Sequence, residues 1–287
     1  MGSVRMKKWF ILLFLVLSML LASCSNNEVS EDEQASVKVG IRSSELRTWQ
    51  FIKEQAEKEG IEIEIVNFSS AYDPNQALVE GDIDLNAFQH VAYLDSFNEN
   101  TNSDIVPIGT TIIAPLGLYS NKYSTVNEIP NGAQIAVPND APNWGRALLL
   151  LQEAGLITVV DDFDGLGGED KIQENKKDIE IVPVDSANTP RVMEDVAASV
   201  INNGISLEAG LTLGDALIHE SQTAKPYINV IATKEQDKDK KIYQKIVEIY
   251  QSDETTAYIL ETYQGNYLPI TISLEELSTY KETYSNH

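Results

Sequence analysis

Three clusters in this sequence carry side chains able to hold a small charged molecule. Phe88, Gln89 and His90 close the stretch "GDIDLNAFQH" (81–90) with groups that stack, donate and accept. Arg146 closes "NDAPNWGR", where a guanidinium beside free helix N–H groups can grip a carboxylate in a bidentate fork. Asn202 and Asn203 in "VAASVINNG", with Asn229 in "KPYINVIATKE", carry amide oxygens that can accept from an ammonium group. An asparagine inside a strand, as Asn229 would be, is costly unless it finds partners. Each residue also has an ordinary structural reading: core packing for Phe88, a helix cap or surface position for His90, a surface ion pair for Arg146, and loop or turn roles for the asparagines.

Catalysis and metal binding find weaker footing. Asp82, Asp84 and His90 could form an acid–base set, but alternation puts the two aspartates on one strand face with Ile83 on the other, and no G-x-S-x-G nucleophile motif is present. The reading is therefore of a protein that is not an enzyme and takes no cofactor. The three histidines stand far apart, at 90, 219 and 287, which leaves metal delivery as a remote alternative with no metal site assigned. "DDFDGLGGED" (161–170) lacks the spacing of an EF-hand because Leu166 stands where an acid or amide is needed, so it reads as a solvated turn.

The elements that must position these groups alternate along the chain. "VKVGI" (37–41) reads as a buried strand, followed by a helix through Leu46, Trp49, Ile52 and Ala56. "IEIEIVNF" (61–68) alternates strictly and is a strand. Asp73-Pro74 supplies an N-cap and a proline at the first helical position, opening a helix that stops at Gly81. "IDLNAF" is the next strand, and Val91, Leu94 and Phe97 begin another helical stripe. "QIAVP" (134–138) is a strand, "NDAPNWGR" a polar turn and "ALLLLQEAG" a helix closed by Gly155, with Arg146 in its first turn, where its charge opposes the helix dipole. Strand, helix, strand, helix predicts an α/β fold with a largely parallel sheet covered on both faces. In such a sheet, ligands bind outside the carboxyl ends of strands, and Phe88 to His90 sits at one of these ends.

The N-terminus carries an address. After Met6-Lys7-Lys8 comes an apolar run from Trp9 to Leu21, too short to span a bilayer comfortably and of the length of a signal peptide. It closes with Leu21-Ala22-Ser23-Cys24, which looks like a bacterial lipobox whose cysteine is lipidated as the signal is removed. Residues 1–23 are thus read as signal peptide and 24–35 as a lipidated, polar tether. Cys24 is the only cysteine, so no internal disulfide forms. Of 21 basic residues three precede Cys24, leaving 18 against 44 acidic residues and a formal charge of −26. Nucleic acid and anionic membrane surfaces would repel such a body.

Taken in order, these stretches resemble a known family. "YDPNQALVEGDIDLNAFQHVAYLDSF" closely resembles the methionine-binding lipoproteins of bacterial ABC importers, the NlpA lipoprotein class. "AVPNDAPNWGRALLLLQEAGLI" resembles that family's second signature, "SVINNGISLEAGL" its third more loosely, and "KPYINVIATKEQDK" the segment returning to the first lobe. The resemblance implies a two-lobed periplasmic-binding-protein fold of type 2-like form, two α/β domains joined by two crossovers, near "TTIIAPLGLYS" and "AKPYINVIATK". Residues 36–112 and 230–287 would form one lobe and 113–229 the other. It further implies a monomer, anchored by lipid on the extracytoplasmic face of the cell membrane, that hands an amino acid to an ABC permease and its ATPase. In that reading Tyr72, Phe88, His90 and Tyr93 enclose the ligand side chain, since thioethers pack well on aromatic edges. Arg146 and Asn143 hold the α-carboxylate, while Asn202 and Asn229 receive the α-ammonium, a complete site for a zwitterion. The sequence departs from the family at "RSSELRTW" (42–49), which holds two arginines and a tryptophan where small residues and a histidine are common, and at Ala92, where proline is frequent. Methionine is the favoured ligand, and a methionine-containing dipeptide, D-methionine or another small amino acid stays open as the alternative.

Overall fold

The computed structural model describes residues 36–68, 72–220 and 225–286, so the expectations placed on the signal segment, Cys24 and the tether lie outside the described residues. The chain opens with β1 (Ser36–Ile41), α1 (Leu46–Lys58), β2 (Glu62–Asn67), α2 (Pro74–Glu80), β3 (Leu85–His90), α3 (Val91–Thr101) and β4 (Ile105–Ile113). It continues through β5 (Gly117–Tyr119), β6 (Gln134–Pro138), α4 (Ala141–Glu153), β7 (Ile157–Val159), β8 (Ile172–Asn175), β9 (Glu180–Val184), α5 (Thr189–Val192), β10 (Ala198–Ile201), α6 (Asn203–Glu208) and β11 (Ile218–His219). It ends with β12 (Ile228–Lys234), α7 (Lys241–Tyr250), α8 (Asp253–Tyr263), β13 (Leu268–Pro269) and α9 (Leu274–Ser278).

Two main sheets result. The first has the order β13-β4-β12-β3-β1-β2 and the second β11-β5-β10-β6-β9, with β7 and β8 as a separate ribbon. The chain leaves the first sheet after Ile113, enters the second at Gly117, and returns between His219 and Ile228. This is the two-lobed α/β architecture that the sequence resemblance implies. The expectation of a largely parallel sheet needs correction. Strand β1 runs parallel to β2 and β3, but β12 is antiparallel to both β3 and β4. In the second sheet β6 is parallel to β9 and β10, whereas β5 opposes β10 and β11. Helical crossovers make neighbouring strands parallel, but a strand arriving from the other sheet has no such constraint.

Local chemistry sets the element boundaries. The Asp73 carboxylate accepts from the Asn75 N–H, Pro74 sits at the first turn, and Gly81 ends α2 at φ 83°, a left-handed conformation that glycine adopts without strain. In α1, Trp49, Ile52 and Ala56 recur at helical spacing and are fully buried against β1 and the helices α7 and α8. The opposite face of the first sheet is covered by α2 and α3, whose Leu78, Val91 and Leu94 pack with Val230 and Ala232 of β12. A second core, around Leu118, Ile135, Leu148 and Val200, serves the second sheet. Each such aliphatic side chain removed from water contributes about 1.5–3 kcal/mol, which fixes the two sheets as firm platforms.

Two further differences concern the middle of the chain. Helix α4 begins at Ala141, capped by Asp140, so most of "NDAPNWGR" is helical and Arg146 lies in the second turn, not the first. Its opposition to the helix dipole is correspondingly weak, because that effect fades within one turn. The stretch 161–170 is also more than a solvated turn: Phe163 is 3% exposed, and the Gly165 carbonyl oxygen would stand 2.1 Å from a Cβ at Gly145. Glycine at 145 is what allows this loop to lie against α4. Among the described residues, no helix is long and apolar enough to cross a membrane.

Candidate functional site

The end of β3 and the start of α3 are built around His90. Its backbone is extended, and its Nδ1 accepts from the Tyr93 N–H at 3.1 Å, so it caps α3. That leaves the ring proton on Nε2, which donates to Asn143 Oδ1 at 3.2 Å. Burial, together with the nearby Arg146 charge, pushes the imidazole pKa from 6.5 down to about 3, so the ring is neutral. Asn143 is fixed in turn: its N–H and side-chain NH2 both donate to Asp140 Oδ1, at 3.0 and 2.9 Å, and its Oδ1 also accepts from Asn202 Nδ2 at 2.8 Å. One amide thus links β3 of the first sheet, the opening of α4 and the end of β10 of the second. Burial raises the Asp140 pKa, while these donors and Ser186 Oγ act in the opposite direction.

Arg146 lies beside this array with only 3% of its surface exposed. Its Nε donates to Glu220 Oε1 at 2.7 Å, and its Nη2 donates to Glu220 Oε2 at 2.5 Å and to the Ala114 carbonyl at 3.0 Å. The guanidinium stacks over Tyr227, 4.3 Å from the ring centroid, and Tyr227 meets the His90 ring edge-on at 5.4 Å. A buried cation persists only where charge and hydrogen bonds offset its lost hydration, and Glu220 supplies both. Glu220 and Tyr227 escape a reading of the sequence. An acid after "ALIH" and a tyrosine after proline carry no local signal, and both reach Arg146 through long-range folding.

The aromatic residues divide. Phe88 meets Tyr93 edge to face at 6.0 Å, Tyr93 meets His90 at 6.3 Å, and the Tyr93 hydroxyl donates to Asp73 Oδ2 at 3.1 Å. Burial raises the Tyr93 pKa well above its usual value, so the phenol stays protonated. Tyr72 stands apart: it is 41% exposed, stacks on Phe68, and donates to Glu80 Oε2. Arg42, the first residue of the divergent loop, lies over the Phe88 ring at 5.4 Å and reaches the Phe68 carbonyl at 3.5 Å. It therefore connects the two aromatic groups.

The asparagines also divide. Asn229 pairs with His90 across β12 and β3 and is 9% exposed. Asn202 joins through Asn143, and its own Oδ1 is buried with no hydrogen-bond partner among the described residues. Asn203 instead donates to the carbonyls of Pro115 and Asn266, a structural staple between connecting segments. Gln89 points away from the array into a buried amide triad with Asn75 and Asn86, donating to Asn75 Oδ1 and accepting from Asn75 Nδ2, each at 2.6 Å. Asp84 is spent on structure, accepting from the Lys38 N–H and the Tyr243 hydroxyl, so it forms no acid–base set with His90. A separate cavity of about 540 Å³, lined by Asp95, Glu99, Asp161, Phe163 and Lys281 among others, contains none of the predicted site residues.

Comparison with known proteins gives this arrangement a setting. The chain is 34% identical to the uncharacterized lipoprotein YhcJ of Bacillus subtilis over 285 residues, covering 98% of this chain and 100% of that one. It is 37% identical to the D-methionine-binding lipoprotein MetQ of Salmonella typhi over 255 residues, 88% of this chain and 93% of MetQ. A nutrient-binding protein from Burkholderia cenocepacia, whose structure was solved bound to methionine, superposes with a TM-score of 0.78 at 39% identity, covering 81% of this chain and 99% of that one. The profile of the NlpA lipoproteins matches residues 37–271. With that span matched and relatives alike along nearly their whole length, the chain belongs to the NlpA lipoprotein family.

Proposed function

We propose that this protein is the substrate-binding lipoprotein of an ABC importer and that it holds methionine, or a close relative, between its two lobes. The observation that carries the reading is the buried Arg146 guanidinium beside an array of neutral donors and acceptors, His90, Asn143, Asn202 and Asn229, drawn from both sheets. In this reading Arg146 and Asn143 take the α-carboxylate and Asn202 and Asn229 the α-ammonium. The unmatched Asn202 oxygen suits an N–H donor, since buried acceptors are rarely left unpaired. Phe88, Tyr93 and the His90 ring face the thioether, with Tyr72 at the rim. The two sheets form two near-rigid lobes, and the ligand stabilises the closed arrangement of the two. The lobe bounds differ from 112/113 and 229/230, since Ile113 ends β4 and Ile228 and Asn229 open β12, all in the first sheet. Cys24 carries the lipid that keeps the monomer on the extracytoplasmic face of the membrane, where it meets the permease whose ATPase lies on the inner side. The names of the relatives support this role, and the family is one of binding proteins rather than enzymes.

The test is mass spectrometry of ligand released on denaturing the purified protein, followed by calorimetric titration of the refolded protein with L-methionine, D-methionine, methionine-containing dipeptides and other small amino acids. Released methionine with stoichiometric rebinding is the expected result. A response to another panel member alone would transfer the role to that ligand and implicate Arg42 over Phe88. No response to any would overturn the reading.

A further inference from the structure

The Arg146–Glu220 pair is electrically neutral in itself before any ligand enters, while Asp140 on Asn143, Asp73 on Tyr93 and Arg42 over Phe88 lie further along the site. Arg146 is 3% and Glu220 9% exposed, so each is the other's principal counter-charge. The surrounding His90, Asn143, Asn202 and Asn229 carry no charge, the imidazole being held neutral by burial. Glu220 uses both oxygens: Oε1 accepts from Arg146 Nε, and Oε2 accepts from Arg146 Nη2 and from the Leu116 N–H at 2.7 Å. The Nε/Nη2 edge of the guanidinium is therefore already taken, and no described residue accepts from Nη1. A ligand carboxylate gripped by Arg146 would meet the free Nη1 corner and would stand on the same guanidinium as the Glu220 carboxylate.

Resting on the amino-acid-binding reading above, we propose that Glu220 is the residue that makes this site select zwitterions, rejecting ligands that bring a carboxylate without an ammonium group. Two carboxylates sharing one buried cation leave a net negative charge at Arg146, in a chain already strongly acidic. A ligand ammonium cancels that excess, and the Asn202 oxygen without a described partner is a dipole of the correct sign to receive it. Discrimination comes from a repulsive element, Glu220, added to the attractive one, Arg146. The same argument disfavours dianionic amino acids.

The experiment compares the full-length protein, purified in detergent, with its Glu220→Gln and Glu220→Asp variants. Each is titrated with L-methionine and with the anionic analogue of the same side chain in which hydroxyl replaces the ammonium. The original protein is expected to prefer methionine by on the order of 100-fold, and Glu220→Gln to shrink that ratio by on the order of tenfold through tighter binding of the hydroxy acid. Glu220→Asp keeps the charge and should keep the ratio even if both affinities fall. If Glu220 merely props Arg146, both ligands weaken together in Glu220→Gln and the ratio stands, which overturns the proposal. Should Glu220→Gln fail to fold, the original protein still decides: equal affinity for methionine and the hydroxy acid overturns the selectivity. A protein that binds methionine with an unchanged ratio fails only this inference, whereas one that binds no amino acid fails the function it rests on as well.

Discussion

Nε2 of His90 lies 3.2 Å from Oδ1 of Asn143, and this one hydrogen bond ties the last residue of β3 in the first sheet to the opening turn of α4 beside the second. Because His90 Nδ1 already accepts from the Tyr93 N–H, both ring bonds can be made together only while the ring is neutral and protonated at Nε2. Protonation would leave a second ring N–H facing a backbone N–H, next to the Arg146 cation.

The pH dependence of folding follows with a definite sign. The folded-state pKa of His90, about 3, lies below its ordinary 6.5, so the unfolded chain binds the extra proton first. The neutral ring's contribution is complete above pH 6.5 and is lost progressively as pH falls towards 3. Between pH 7 and pH 5 this one group should cost about 2 kcal/mol of stability. Denaturant unfolding of His90→Gln, compared with the original protein at both pH values, should show the difference reduced by that amount. An unchanged difference would place the titrating group elsewhere.

Arg146 and Glu220 should be strongly coupled. Arg146→Met leaves a buried carboxylate without its cation and should cost about 3–5 kcal/mol in urea unfolding. Adding Glu220→Gln to it should recover a substantial part, because the double variant buries no net charge. In binding, Arg146→Ala should weaken the amino-acid complex by about 2 kcal/mol or more. Unaltered affinity there would remove Arg146 from the site.

Phe88 should govern the choice of side chain rather than stability. It is only half buried and meets Tyr93 edge to face. In Phe88→Ala the preference for methionine over alanine should narrow by roughly 1–2 kcal/mol, the worth of a lost aromatic contact with apolar and sulfur atoms. Calorimetric titration with both ligands checks this, and a retained preference would put the aromatic wall elsewhere.

Gln89 makes the contrasting case one residue away. Its amide is locked to Asn75 and Asn86 in the core under α2. Gln89→Leu should cost about 2–3 kcal/mol of stability by orphaning Asn75 and Asn86, with ligand preference unchanged. A change of selectivity without loss of stability would contradict the triad's structural role.

What could be read from the sequence was what is locally encoded. Capping at Asp73 and Gly81, the buried stripe of α1, and the placing of His90 at a strand end all rest on neighbours within a few positions. The start of α4 escapes a local reading because Pro142, Asn143 and Gly145 are typical of turns, yet Pro142 sits in the first turn where its missing N–H costs nothing. Glu220 was invisible because its partner lies 74 positions away. The same holds for Gly145 against the Gly165 carbonyl, a close approach that only the packed loop reveals. The sequence sets Tyr72 beside Phe88 and Tyr93, but its stacking on Phe68 places it at the exposed edge, joined to them through Arg42.

The position of β12 governs the order in which this molecule can be completed. Its residues lie between β3 and β4, and the Thr233 hydroxyl donates to the Asp84 carbonyl across 149 positions of sequence. A chain made from the N-terminus therefore holds two strand edges open until the whole second sheet has followed, and closing so long a loop slows folding. A fragment ending before Ile228 would present β3 and β4 as unpaired edges, a template for aggregation rather than an independent lobe.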